Sequence, residues 1–270
     1  MLVVLRALLF LAVVVGMAIR NTINRRRMFN KPLHLNPVAS FFPTILLPGD
    51  PVRAMAIAQN QTVQPLMFNH RRGLWGYSGT TPEGLSLIVQ STGMGGPSAA
   101  IICEELADLG ATTFLRVGTC GALDERVQLG DLVIVEQALC TDGTSQHLGG
   151  VEAVAADDNL IEALKTAAES VKPKFHVGTI ASVDLFYDPI ADQRHAELLA
   201  KGALAIEMEA ATVLAVGRER GVRSACLLGV TDVLHQADGR SRLSDEEIVK
   251  LGELLGAVGV AAVQALKSVG

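Results

Sequence analysis

The feature that most constrains this chain is an alternation that begins near residue 44 and runs to the C-terminus. Short apolar runs bounded by turn residues are followed by stretches of helical periodicity. The runs 44–47, 85–90, 113–117, 131–135, 177–182, 203–206 and 225–230 read as strands. Helical spacing is clearest over 98–109, 159–171, 208–220 and 245–267, the last with Ser244 as its N-cap and several glycines that weaken it. Such an order predicts an α/β fold: a single domain with a twisted, mixed, largely parallel sheet flanked by helices on both faces. Ligands are then expected beyond the carboxyl ends of the strands.

Composition narrows the function. Hydrophobic residues make up 49% of the 270 and aromatics only 4%, so the interior must be built from Ala, Val, Leu and Ile, as in buried parallel strands. A formal net charge of -5 offers no broad basic field for a nucleic-acid backbone; an anion site has to be a local cluster of Arg or Lys. Cys103, Cys120, Cys140 and Cys226 have no C-x-x-C spacing and no Cys/His neighbourhood, so neither a metal site nor a disulfide framework is expected.

The first 27 residues form an apolar leader, Leu2 to Ile19, followed by Arg20, Arg25, Arg26 and Arg27. It reads as a membrane anchor that leaves the body on the cytoplasmic side, or as a product of an upstream start with translation truly beginning at Met28. A secretory signal fits less well, because only Arg6 precedes or interrupts the apolar run. Residues 28–270, undivided by any repeat or linker, read as one domain, and the expected location is cytoplasmic.

Four segments place unusual residues just beyond a strand. Leu47-Pro48-Gly49-Asp50-Pro51-Val52-Arg53 ends a strand in a turn that opens a helix, where backbone N–H groups and Arg53 suit an anion. Ser91-Thr92-Gly93-Met94-Gly95-Gly96-Pro97 is a second Gly-rich strand-to-helix loop that lacks the endings of a P-loop or a dinucleotide fingerprint. In Leu115-Arg116-Val117-Gly118-Thr119-Cys120-Gly121 an arginine interrupts an apolar strand; burying it requires a partner, either a carboxylate or a bound oxyanion. Ile206-Glu207-Met208-Glu209 brings two carboxylates to a strand–helix junction, where they can accept hydrogen bonds from sugar hydroxyls or complement the helix N-terminus. Asp232, at the end of the last strand, could supply an acid.

Taken in order, LLPGDPVR, HRRGLWGY, STGMGGPSAA, FLRVGTCGAL, SVDLFYDP and AIEMEAA resemble the nucleoside phosphorylases, a family that includes purine nucleoside and uridine phosphorylases. The resemblance covers nearly all of Pro43 to Gly270. It implies phosphorolytic cleavage of the N-glycosidic bond of a nucleoside, to free base and ribose 1-phosphate, with inorganic phosphate as co-substrate and no cofactor. By the same resemblance phosphate is bound by Gly49, Arg53, Arg116 and Thr119, with Arg72 reaching in from a neighbouring subunit. Ribose is bound by Glu207, Met208 and Glu209, with His34 contacting the 5′-hydroxyl across that interface. Cys120, Gly121 and Phe186, with Tyr187 beside it, fall at the base, and Asp232 matches the acid that protonates a purine at N7.

Base identity separates two readings. Uridine phosphorylases read uracil with a Gln-x-Arg pair, whereas here Gln193 and Arg194 are adjacent and the surrounding insertion is missing. With Asp232, this favours a purine; Arg240 and Arg242 are the candidates to assist the acid. A hydrolytic nucleosidase of the same fold is the rival reaction, disfavoured by the arginine set, since water needs none. A nucleoside-binding protein without activity is a third class. Sites shared between subunits imply a homo-oligomer, dimer-based and hexameric by resemblance.

Overall fold

A computed structural model describes residues 31–149, 151–171, 174–235 and 241–267; the leader at 1–27 lies outside them. In chain order the elements are β1 (Thr44–Leu47), α1 (Pro51–Gln61), β2 (Val63–Asn69), β3 (Gly76–Thr80), β4 (Ser86–Gln90), α2 (Gly96–Leu109), β5 (Thr113–Ala122) and β6 (Leu132–Cys140). They continue with α3 (Gly143–Gly149), β7 (Ala153–Ala155), α4 (Asp158–Val171), β8 (Phe175–Ser182), α5 (Ala191–Ala200), β9 (Ala205–Glu207), α6 (Ala210–Arg220), β10 (Arg223–Val233), β11 (Ser241–Arg242) and α7 (Asp245–Lys267).

Among the described residues the strands form one 11-stranded mixed sheet. Strands β4, β1, β5 and β10 run parallel, as do β6, β8 and β9. Antiparallel pairings of β10 with β6 and of β5 with β9 join the two sets. The path β5–β10–β6–β8–β9 thus returns to β5, and the twisted sheet closes into a ring there. This closure brings the ends of β5, β9 and β10 together, which strand periodicity alone does not reveal.

Helices cover the sheet as the alternation requires. Every residue of α6 from Ala210 to Gly217 is buried, as expected of a helix that is apolar all round. At the start of α7 the Ser244 N–H donates to Glu247 Oε2 at 2.8 Å and the Glu247 N–H to Ser244 Oγ at 3.3 Å, a reciprocal capping box. The glycines that weaken this helix have a packing reason: a Cβ at Gly256 would lie 2.8 Å from Ile57, and one at Gly259 2.9 Å from Val117. They let α7 press closely on α1 and β5. By length and apolarity Asp245–Leu266 could cross a membrane, yet 50% of its apolar window is buried in the fold, where it serves as a core helix.

The β2–β3 hairpin carries no strand pattern in the sequence for a physical reason. β2 contains Pro65, which cannot donate to a ladder, and it is tolerated because among the described residues β2 lies at the end of the sheet and pairs only with β3. Helix α5 buries Leu198 alone and so carries little apolar periodicity in the sequence.

Candidate active site

Parallel pairing of β1 and β4 sets their two C-terminal loops side by side. Thr92 N–H donates to the Pro48 carbonyl at 2.9 Å and Gly93 N–H to the Gly49 carbonyl at 3.0 Å, so the loops are zipped by backbone hydrogen bonds. Asp50 caps α1, accepting from Arg53 N–H at 2.7 Å, which fixes Arg53 in the first turn. Burial lowers the pKa of Arg53, and its neighbour Arg116 acts in the same direction, against Asp50 and Glu209. Among the described residues the Arg53 guanidinium has no hydrogen bond or ion pair. It is a half-buried cation held close to another cation.

Arg116 is the centre of the arrangement. Its side chain is 3% exposed and spans two carboxylates: Nε and Nη2 meet Glu207 at 2.9 and 2.8 Å, and Nη2 meets Glu209 at 2.6 Å. Burial by itself would lower its pKa; Glu209 and Glu207 outweigh that and hold it above the ordinary arginine value. The third nitrogen, Nη1, is buried and has no protein partner, one of two such side-chain atoms among the described residues. It lies 4.0 Å from where a Cβ on Gly49 would be. The first explanation offered by the sequence for a buried arginine, a partner carboxylate, accounts for two nitrogens; the third is left facing the Gly49 loop.

The two glutamates differ in what they still have to offer. Glu207 accepts from Arg116, from Ser182 Oγ, and from the N–H groups of Glu209 and Ala210 at 2.9 Å each, so it is saturated by Arg116 and by the start of α6. Glu209 accepts from Gly95 N–H, which a left-handed φ of 84° turns towards it. Burial raises the pKa of Glu209, with Glu207 and Asp142 adding to the effect and Arg116 opposing it. Asp142, fully buried, accepts from Ser145 N–H at 2.9 Å and Thr212 Oγ1 at 3.2 Å and backs the first turn of α2. Ser182 opens the SVDLFYDP motif, whereas no local pattern in the sequence marks Asp142.

Space for the guanidinium comes from Gly118, where a Cβ would lie 2.6 Å from Arg116 Nη2 and 2.7 Å from Cζ. Because two carboxylates hold that group, it cannot yield freely. Gly118→Ala is expected to lower stability by about 1–3 kcal/mol, read from denaturant unfolding. An unchanged unfolding midpoint would show instead that the guanidinium moves aside without cost.

On β10 the pairing with β5 shifts register between Val230 and Asp232, a bulge that sets Asp232 opposite Gly121. Asp232 is 3% exposed; its carboxylate meets Thr231 Oγ1 at 2.8 Å and Arg242 Nη1 at 3.0 Å. Arg242 stands directly across the β10–β11 ladder from Asp232. Of the two candidate arginines, Arg242 is paired with Asp232, while Arg240 lies outside the described residues. Thr119 and Gly121 are partly exposed on β5 beside these groups, and Cys120 is buried with its thiol pKa raised, chiefly by burial. A thiol so held is a packing group rather than a nucleophile.

The remaining predicted residues lie further out. Met208 is partly exposed at the β9–α6 junction. Phe186 and Tyr187, in edge-to-face contact at 5.0 Å, are 52% and 89% exposed. Arg72 is exposed, in left-handed backbone at φ 57°, without a side-chain bond to the Arg116 cluster. His34 is tied to Glu105 on α2, at 2.7 Å. Among the described residues no three His, Cys, Asp or Glu side chains gather as metal ligands.

Two arginines with unsatisfied nitrogens beside a carboxylate pair suit an oxyanion lying next to a hydroxyl-bearing ligand, with a buried acid within the same strand ends. Residues 43–264 match the phosphorylase superfamily. A DeoD-type purine nucleoside phosphorylase of Shewanella loihica is 36% identical over 228 residues, covering 82% of this chain and 94% of that protein. A guanosine phosphorylase of Halorubrum lacusprofundi is 38% identical over 204 residues, covering 75% of this chain and 83% of that one. Among solved structures, a uridine phosphorylase of Vibrio fischeri superposes with a TM-score of 0.77 at 26% identity, covering 89% of this chain and 99% of that one. The chain belongs to the phosphorylase superfamily, and within it to the nucleoside phosphorylases, which are pentosyltransferases.

Proposed function

We propose that this enzyme cleaves purine nucleosides with inorganic phosphate, giving the free purine and ribose 1-phosphate. The observation that carries the reading is Arg116 Nη1, a buried donor without a protein partner, beside Gly49 and the unpaired Arg53. Leaving such a donor unsatisfied is costly, and a phosphate oxygen removes that cost. In this reading Gly49, Arg53, Arg116 and Thr119 hold phosphate, and Arg72 completes the site from a second copy of the chain. Glu209 and Met208 bind the ribose hydroxyls; Glu207 serves them through Arg116 and the α6 N-terminus. Cys120, Gly121 and Phe186 border the base.

Chemistry follows from the charge. As the glycosidic bond breaks, positive charge grows on the ribose, and a phosphate dianion held beneath the sugar stabilises that charge and attacks C1′. The electron pair of the broken bond goes to the purine, which takes a proton at N7 from Asp232. Arg242 is the counter-ion for the carboxylate that remains. The Asp232–Arg242 pair supports a purine over uracil, which has no N7 to protonate. Homo-oligomerisation, dimer-based and hexameric, is part of the proposal, since Arg72 and His34 are assigned to a neighbour's site.

Release of free base from inosine, guanosine, adenosine and uridine, each with and without phosphate, tests this directly. The expected result is purine release that stops when phosphate is withheld. Phosphate-independent release would make the enzyme a nucleosidase, and turnover of uridine alone would overturn the purine assignment.

A further inference from the structure

At His34 and Leu35 the chain is held by the side chain of Glu105. The Glu105 carboxylate, on α2, accepts the His34 backbone N–H at 3.0 Å, the Leu35 N–H at 2.7 Å and the His34 ring Nδ1 at 2.7 Å. The contact is largely withdrawn from water: the two side chains are 27% and 14% exposed. Leu35 is buried at 1%, and the Asn36 N–H is held by Asn69 Oδ1 at 3.0 Å. The neighbouring acids on α2 are occupied elsewhere, Glu104 and Asp108 both pairing with Arg220. Glu105 thus fixes the path of the backbone at His34 and the orientation of its ring together.

A carboxylate at Nδ1 also selects the tautomer. In the neutral ring the proton sits on Nδ1, facing Glu105, and Nε2 is left as the acceptor. We infer that Glu105 is a positioning residue: it presents His34 Nε2 outward as the acceptor for the 5′-hydroxyl of a nucleoside bound in a second copy of this chain. The inference rests on the His34 role in the proposed function, and it adds the group that sets the geometry and tautomer of that histidine.

The test compares inosine with 5′-deoxyinosine, which lacks the hydroxyl in question, in the wild type, His34→Ala, Glu105→Ala and Glu105→Gln, with phosphate saturating. Loss of one positioned hydrogen bond is expected to raise KM for inosine about five- to tenfold in both alanine variants. The KM for 5′-deoxyinosine and for phosphate should stay unchanged. Glu105→Gln keeps an acceptor at Nδ1 and should recover most of the loss, which also covers the case in which Glu105→Ala folds poorly. If His34→Ala discriminates between the two substrates and neither Glu105 variant does, the positioning role is wrong. Equal losses on both substrates with a lowered melting temperature would make Glu105 merely structural. If His34→Ala itself fails to discriminate, the His34 assignment falls, and the inference falls with it.

Discussion

Arg116→Ala is expected to cost both stability and phosphorolysis, whereas Arg53→Ala should cost only the second. Removing Arg116 strands Glu207 and Glu209, 5% exposed each, without the cation that both face. Breaking a buried pair by deleting one partner costs about 3–5 kcal/mol, because the other charge stays buried. The same change removes the unpartnered Nη1 assigned to phosphate, and losing one preorganised donor of this kind lowers kcat about 10²–10³-fold. Lysine is expected to rescue poorly, since a single ammonium cannot span two carboxylates and still leave a directed donor for an anion. Arg53, by contrast, has no ion pair to lose and is itself penalised by burial. Its alanine variant should unfold within about 1 kcal/mol of the wild type while the KM for phosphate rises sharply. Thermal unfolding with steady-state kinetics on both variants decides the matter; a stable Arg116→Ala enzyme with normal phosphate saturation would remove Arg116 from both roles.

The second large effect is expected at Asp232. Asn cannot donate the proton that N7 requires, so Asp232→Asn should lower kcat for inosine and guanosine about 10²–10⁴-fold. The substitution is nearly isosteric and leaves an acceptor for Thr231 and Arg242, so folding should be preserved. A nucleoside methylated at N7 already carries the positive charge that protonation would supply. The variant should therefore cleave 7-methylguanosine at close to the wild-type rate. Arg242→Ala, which removes the counter-ion and leaves the carboxyl, should lower kcat for guanosine by less than Asp232→Asn does. Equal losses on guanosine and 7-methylguanosine would assign Asp232 to binding or folding rather than to proton transfer.

Sequence patterning determined what local physics controls. The strand 44–47 and the helix 245–267 have the bounds that the sequence implies, because a burial pattern and a capping serine are properties of adjacent residues. The α/β class followed from alternation. The candidate residues Gly49, Arg116, Glu207, Glu209 and Asp232 were visible because glycines and charges interrupt otherwise apolar strand ends. Tertiary structure decided how those residues divide the work. The ring closure through β5, β9 and β10 sets Arg116 between two carboxylates, and the pairing of β10 with β11 selects Arg242 as the partner of Asp232. Glu207 and Glu209 look equivalent in the sequence, two residues apart at one junction. Only the fold saturates the first with Arg116 and the α6 backbone and turns the second towards Gly95. Such roles depend on groups far apart in the chain, which no local periodicity encodes.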